Sequence, residues 1–531
     1  MIRGIFILGI DGATWKVMEP LVSEGKLPHI AALREHGVWG DLQSIPPYVS
    51  PPAWTSLVTG KRPGRHAILD FISKIPGQYG MRLSKGGERG SPALWSILSN
   101  HGLRCCVVNV TMSFPPDPIH GIMVSGLDCP WQGAIATYPK EFAGKLLSAV
   151  PNYSVMPPKV PLSQRRERLR TLIDMTQIRT QAGLYLAQKE PWDFFMIQFS
   201  ATDVAQHFYW TDWDPKDPRR RKEKPVMPEA LPEVYEQIDR ALGQMLEYVD
   251  PKALILLVSD HGFGPMHTLF LVNPWLARYG YLRPARERQL RPLLSKVARR
   301  LLGNSDLAKM DWAPKVDWKK TKIYCAGTCG NLFMNLMDRE PWGVLKPSDK
   351  MELAEEMRER LLAIRQGPNE ESPVAKVVDG GSLFHGPFSA LAPDLWLEMS
   401  RGFHAVGSLK DVPYAPRGKG DGLFSDRHPW NGNHEPEGIL IMKGPGLLAS
   451  QRISNAVLID IVPTVLRWLD LPVPKDVEGR CLEEVFHANF LADRPLRISE
   501  PLGSCEGEGP EDGEDEKQEM TNRLRDLGYL G

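Results

Sequence analysis

Runs of consecutive apolar, often β-branched residues recur along this chain, each too short for a helix and too continuous for a strand with one face in water. IFILGI (5–10), CVVNV (106–110), IMVSG (122–126), FFMIQF (194–199), ALILLVS (253–259) and GILIMKG (438–444) read as strands buried on both faces. Between many of them the pattern changes to the period of a helix, as in LPHIAALREHG (27–37) and VYEQIDRALGQMLEYV (234–249). Alternation of this kind predicts an α/β fold, a mixed, mostly parallel sheet sandwiched by helices. In such sheets chemistry collects at the carboxyl ends of the strands.

The pattern breaks in the middle. Residues 285–320 are rich in Arg, Lys and Pro, and strand-like patterning resumes in TKIYCAGTCGNLFMNLM (321–337). We read 268–420 as an inserted cap region, in which APDLWLEM (392–399) adds a strand to a smaller sheet. Residues 1–267 and 421–490 then form a discontinuous catalytic core. From 491 to 531 the expectation is a disordered tail: 500–519 is acidic, Gly-rich and nearly free of large apolar residues, and a short amphipathic end follows. No internal repeat is present.

Composition narrows the function classes. The 531 residues are enough for a large domain with insertions, and 42% hydrophobic with 24% charged residues is a globular balance. Lys plus Arg and Asp plus Glu both total 64, so no global field recruits a polyanion and no nucleic-acid binding is expected. The N-terminal apolar run ends at Asp11 without a cleavage site, and no stretch approaches the roughly 20 apolar residues of a membrane span. Seven scattered cysteines without paired CxxC spacing fit reduced thiols and a cytoplasmic location. Cys325 and Cys329 lack the second pair that a structural metal clip needs.

Ionisable residues cluster where the buried strands end. Asp11 closes ILGID, Asp203 and His207 follow FFMIQFS in ATDVAQH, Asp260 and His261 close LILLVSDH, and His434 sits in GNHEPEG before GILIMKG. Alone, each has a bland reading as a helix cap or loop residue. Together, three Asp and three His supply six oxygen and nitrogen donors, enough for two divalent cations, zinc first and manganese second. Paired cations suit in-line displacement at phosphorus.

A nucleophile is sought in VSPPAWTSLVTGKRPGRH (49–66). Pro51 and Pro52 stiffen its start, and the run after them can open a helix whose N-terminus favours a phosphate. Ser50, Thr55 and Ser56 are all candidates on chemistry alone, and Ser50 also reads as a helix cap. Gly60-Lys61 does not make a nucleotide-binding loop, since Thr55 stands in place of its first glycine and Arg62 in place of its hydroxyl.

These segments resemble the alkaline phosphatase superfamily, in particular its type I phosphodiesterase/nucleotide pyrophosphatase branch. The resemblance runs through GIDGATW (9–15), SPPAWTSLVTG (50–60), TDVAQH (202–207), SDHGFGP (259–265), GNHEPEGI (432–439) and LIDIVPTVLRWLDLPVP (458–474). It implies an alkaline-phosphatase-like fold and a phosphoric ester hydrolase acting on a small phosphate ester. One metal would be held by Asp203, His207 and His434, the other by Asp11, Asp260, His261 and the nucleophile, which the resemblance assigns to Ser50. Attack by a metal-bound Ser50 would give a phosphoseryl intermediate. Two positions depart from the branch: Asp70 stands near the place of an Asn that holds phosphate in nucleotide pyrophosphatases, and Ala67 replaces a usual glycine. The sulfatase signature fails at Trp54, because an indole cannot replace the guanidinium of its arginine. A phosphomutase of the same superfamily, or an inactive binding protein with this fold, are the alternatives.

Overall fold

The structure is a computed structural model that describes residues 4–129, 135–221, 224–285, 316–366, 370–407, 422–426 and 428–503. The chain first lays down β1 (Ile5–Ile10), β2 (Val38–Gln43), β3 (Cys105–Val108), β4 (Gly121–Val124), β5 (Thr137–Tyr138), β6 (Phe194–Phe199) and β7 (Leu254–Val258). It leaves this sheet with β8 (Gly262–Leu271). A smaller unit follows: β9 (Ile323–Cys325), β10 (Asn331–Met334), β11 (Val374–Asp379) and β12 (Leu395–Met399), then β13 (Gly402–Val406) and β14 (Gly432–Glu435). The chain returns through β15 (Glu437–Lys443) and β16 (Gln451–Val457).

The main sheet runs β16-β2-β15-β7-β1-β6-β3-β4-β5. β1 pairs in parallel with β6 on one side and β7 on the other, and β3 continues the parallel run between β6 and β4. β15 runs against both β7 and β2, and β5 against β4, so the sheet is mixed but mostly parallel.

The apolar runs are continuous because both faces of the sheet are covered. Phe6, Leu8 and Ile10 of β1 join one core with the helices α2 (Arg165–Lys189), α3 (Ala201–Trp213) and α4 (Ala230–Leu246), whereas α1 (Ser50–Thr59) packs on the opposite face. Ile5 and Ile7 point to that opposite side, where Leu57, Val58 and α5 (Ile461–Trp468) close a second core. Period-two alternation therefore sorts one apolar strand between two cores.

All six expected strands are present with ends within two residues of those expected. The helix expected over 27–37 spans Pro28–Glu35, and that over 234–249 starts earlier, at Ala230. β2 and β16 lie toward one edge of the sheet and carry part-exposed positions, which breaks the apolar signature. β9 to β12 form a separate antiparallel sheet in the order β9-β10-β12-β11, and Leu395–Met399 lies within the expected 392–399 strand. β8 crosses residue 268 without interruption: its first half pairs with β14 and its second with β13.

Order continues past the tail boundary expected at 491. Ala488–Ala492 is helical, and Ile498–Ser499 pairs in parallel with Val473–Pro474, so backbone hydrogen bonding holds this stretch against the core. The acidic segment from 504 onward and the basic stretch 286–315 lie outside the described residues. No described helix is long and apolar enough to cross a membrane.

Candidate active site

Three adjacent parallel strands deliver most of the site. Asp11 follows the last residue of β1, Asp260 and His261 follow β7, and Asp203 lies in the first turn of α3, which begins two residues after β6. His207 is one helical turn beyond Asp203 on the same face. His434 arrives from β14, opposite Phe263 in the β8 pairing. Gly9 leaves room for the Trp54 indole, since a Cβ there would sit 2.5 Å from the ring.

Each histidine is fixed by its own backbone contact. Nδ1 of His207 donates to the Gly432 carbonyl at 3.0 Å, that of His434 to Tyr48 at 2.8 Å and that of His261 to Gly262 at 3.1 Å. A neutral imidazole so engaged presents an unprotonated Nε2, the form that binds metal. The Nε2 atoms converge: His207 and His434 are 3.1 Å apart, and Asp203 Oδ1 lies 3.1 Å from His434 and 3.6 Å from His207.

The carboxylates are oriented in the same way. Asp11 Oδ2 accepts from Gln198 Nε2 at 2.7 Å and Trp54 Nε1 at 3.1 Å, while Oδ1 faces His261 Nε2 at 3.7 Å. Asp260 Oδ1 accepts from the Gly12 N–H at 3.1 Å. Its Oδ2 has no hydrogen-bond partner although buried, and lies 3.3 Å from His261 Nε2. Two donor groups result, Asp203-His207-His434 and Asp11-Asp203-His261, each with its ligand atoms within 4.8 Å of one another. Asp203 belongs to both, where the resemblance gave it to one, and Asp260 adjoins the second through His261.

The three candidate hydroxyls separate cleanly. Thr55 Oγ1 donates to the Pro51 carbonyl at 2.7 Å, and Ser56 Oγ is 2.9 Å from His66 Nε2. Ser50 Oγ is 3.3 Å from Asp11 Oδ1 and 3.4 Å from His261 Nε2. Val49, in extended conformation, is the cap of α1, and Ser50 is the first helical residue. The helix end offers fewer donors to an anion than a generic N-terminus. Pro51 and Pro52 have no N–H, and Val49 and Ala53 give theirs to Pro47 and Val49, which leaves the Ser50 N–H.

Without a counter-charge this cluster is electrostatically frustrated. Burial, reinforced by Asp203, pushes Asp11 up to about 8, and burial with Asp11 beside it lifts Asp260 well above the carboxylate range. Burial opposes the charge on Asp203 too, but His207, His434 and His261 outweigh it and hold that carboxyl below its ordinary value. Burial lowers His207 to about 3 and His261 well below its usual range. Unprotonated nitrogens, converging carboxylate oxygens and the unpartnered Asp260 Oδ2 make a donor set that fits divalent cations.

Other polar and aromatic residues near the site take structural places. His66 is buried, accepts from the Ile68 N–H at 3.2 Å, and is lowered by burial to about 3. Ala67 adopts a left-handed φ of 72° where a glycine was noted as usual. His267 contacts Thr268 Oγ1 and the Phe403 ring. Phe208, Tyr209 and Trp210 of α3 are buried in the core. Asp70 is occupied by Thr328 and Asn331. Gln198 and Trp54 escaped recognition as supports of Asp11. A lone amide inside FFMIQF was the available signal, because a buried polar side chain needs a partner.

Beside His434 lies a cavity of about 260 Å³ whose wall includes Tyr48, Trp396, Arg401, Phe403 and His404. These residues come largely from the 268–420 segment, where the sequence offered no motif.

Residues 5–429 match the family model described as type I phosphodiesterase/nucleotide pyrophosphatase. Among solved structures, the fold is similar to phosphonoacetate hydrolase from Sinorhizobium meliloti 1021 in complex with phosphonoformate. The two are 16% identical with a TM-score of 0.54, over 87% of this chain and 94% of that one. It is also similar to murine ectonucleotide pyrophosphatase/phosphodiesterase 5, at 11% identity and a TM-score of 0.51, over 91% of this chain and 100% of that one. Comparison with curated proteins finds no match.

Proposed function

The chain belongs to the type I phosphodiesterase/nucleotide pyrophosphatase family, a branch of phosphoester hydrolases within the alkaline phosphatase superfamily, and on that premise we propose a two-metal enzyme with Ser50 as nucleophile. Asp203, His207 and His434 would hold one cation, and Asp11, Asp260, His261 and Ser50 the other, with zinc or manganese as the metal. The observation that carries this reading is the position of Ser50 Oγ, 3.3 Å from Asp11 and 3.4 Å from His261, at the edge of two converging donor groups. The matched family segment ends at residue 429, so the part given to His434 rests on its geometry.

Divalent cations, when bound, polarise phosphoryl oxygens and acidify a nearby hydroxyl. The rest falls to the chain. Gln198 and Trp54 hold Asp11 so that Oδ1 faces the Ser50 hydroxyl. Ser50 Oγ forms a bond to phosphorus as the ester P–O bond breaks, and the alcohol leaves with a proton. Water then cleaves the phosphoserine, returning a proton to Ser50 and releasing the phosphoryl product. The Ser50 N–H is available to a phosphoryl oxygen throughout.

The test is chemical trapping. Acid quench during turnover of bis(para-nitrophenyl) phosphate by the metal-loaded protein is expected to leave a para-nitrophenyl phosphoryl group on Ser50, located by mass spectrometry. Ser50→Ala is expected to lower kcat by about a thousandfold or more while retaining its metal. Turnover by Ser50→Ala at the wild-type rate would overturn the assignment. Rates on a monoester and a diester of the same phenol decide between phosphomonoesterase and phosphodiesterase.

A further inference from the structure

The cavity beside His434 has a polarity of its own. At about 260 Å³ it falls just under the roughly 300–1,000 Å³ of ordinary small-molecule sites, so it suits a compact group. One side is aromatic: Tyr48 meets Trp396 edge to face with ring centres 5.6 Å apart, and Phe403 lies along the same wall. Its charged residues are unequal in their commitments. Glu398 receives Lys376 on both oxygens, at 3.2 and 3.1 Å, and makes a closed pair. Glu435 is shared by two cations, Lys16 and Arg401, with Arg401 Nε at 3.1 Å.

Arg401 is the more open of the two cations. Its side chain is 60% exposed against 39% for Lys16, and its one acidic partner among the described residues is Glu435. It stands in the turn between β12 and β13, directly on the cavity wall. A guanidinium has five N–H donors in a planar fork matched to a carboxylate or phosphate, and the shared Glu435 leaves most of that capacity unused. Two cations thus share one carboxylate, and of the two it is Arg401 that lies on the cavity wall.

We propose that Arg401 reads a second anionic group on the substrate. The preferred substrate is then a compact phosphoric ester whose leaving group places an apolar body on the Tyr48-Trp396 wall and presents a carboxylate or a further phosphate to Arg401. Lys16 keeps Glu435 occupied when Arg401 turns to the substrate. This inference rests on the phosphohydrolase reading and adds to it the class of leaving group.

The experiment compares two esters on the full-length, metal-loaded protein: a para-nitrophenyl phosphate with a carboxylate on the ring, and its methyl ester, which has the same shape without the charge. The readout is the ratio of their kcat/KM values. Wild type is expected to favour the carboxylate by about tenfold or more, the scale of a hydrogen bond to a charged group. Arg401→Gln should bring the ratio close to one, and Arg401→Glu should invert it. A ratio of one in wild type, or a preference that survives in Arg401→Gln, would overturn the assignment while leaving the hydrolase reading intact. A wild type that hydrolyses only bis(para-nitrophenyl) phosphate would overturn this assignment alone, and one that hydrolyses neither these esters nor that diester would overturn both.

Discussion

At the scale of single residues, the site depends on which oxygen of each carboxylate is left facing inward. Trp54 and Gln198 engage Asp11 Oδ2, and this frees Oδ1 for the Ser50 side. Trp54→Phe keeps the packed ring and deletes one donor, so Asp11 gains rotational freedom. Loss of a hydrogen bond to a charged group is worth about 1.5–3 kcal/mol, and kcat/KM is expected to fall by roughly tenfold to a hundredfold with the fold intact. Protons compete with cations for the same oxygens. In the metal-free protein Asp11 titrates near 8 against 3.8 in the unfolded chain, so the folded state retains a proton that the unfolded state has released. That contribution is full below the unfolded value of about 4 and is lost as pH rises toward the folded one. His207, lowered to about 3, acts in the opposite sense: its contribution is present above about 6.5 and is lost as pH falls through the folded value. Metal-free protein is therefore expected to melt at lower temperature at about pH 8 than at about pH 6, and added manganese should raise the melting temperature more at the higher pH. A metal-induced shift of equal size at both pH values would contradict this linkage.

At the scale of elements, the junction between β6 and α3 has to be rigid because it carries both Gln198 and Asp203. Arg179, from the middle of α2, braces it from behind: its guanidinium donates to the Gln198 carbonyl and to Val155 O, each at 3.1 Å, and to Ser200 Oγ at 3.3 Å. Arg179→Met would leave two buried carbonyls without donors. We expect a loss of about 3 kcal/mol in urea unfolding, with cation affinity, measured by competition with a chelator, weakened by about tenfold. Arg179→Lys should recover part of both. The sequence shows this junction only in part. FFMIQF announces a strand because both its faces are buried, and the helical spacing in TDVAQH puts Asp203 and His207 on one face, where they converge with His434. The brace has no local signature, since Arg179 meets its partners 19 to 24 residues away. Trp54 and Asp11, 43 residues apart, escape for the same reason. β2 and β16, with part-exposed positions near an edge, never show the unbroken apolar run that made the central strands legible.

At the scale of the whole molecule, the segment that follows α1 is interlocked with the smaller sheet. Lys74 pairs with Glu340 in a buried contact, Tyr79 stacks on Trp318 with ring centres 3.8 Å apart, and the Tyr79 hydroxyl donates to Asn335 at 2.7 Å. Asp70 belongs to this set of ties. Its Oδ1 accepts from the Phe71 N–H at 2.6 Å and from Thr328 Oγ1, while Oδ2 accepts from the Thr328 N–H at 2.8 Å and Asn331 Nδ2 at 3.0 Å. With the Cys329 thiol 3.9 Å from Oδ2, five donors converge on two oxygens, so the position calls for a carboxylate. In Asp70→Asn the amide NH2 would confront donors whichever way it is turned. This substitution writes back the residue that nucleotide pyrophosphatases are noted to carry nearby, yet here it would break the anchor of the loop that brings Thr328 and Cys329 to the cavity wall. The expected outcome is a loss of about 2 kcal/mol in stability, an increase in KM for monoester and diester alike, and no gain in activity on a nucleotide diester. Steady-state kinetics on both ester types, alongside urea unfolding, checks this. A selective rise in nucleotide diester turnover with unchanged stability would show instead that Asp70 faces the substrate.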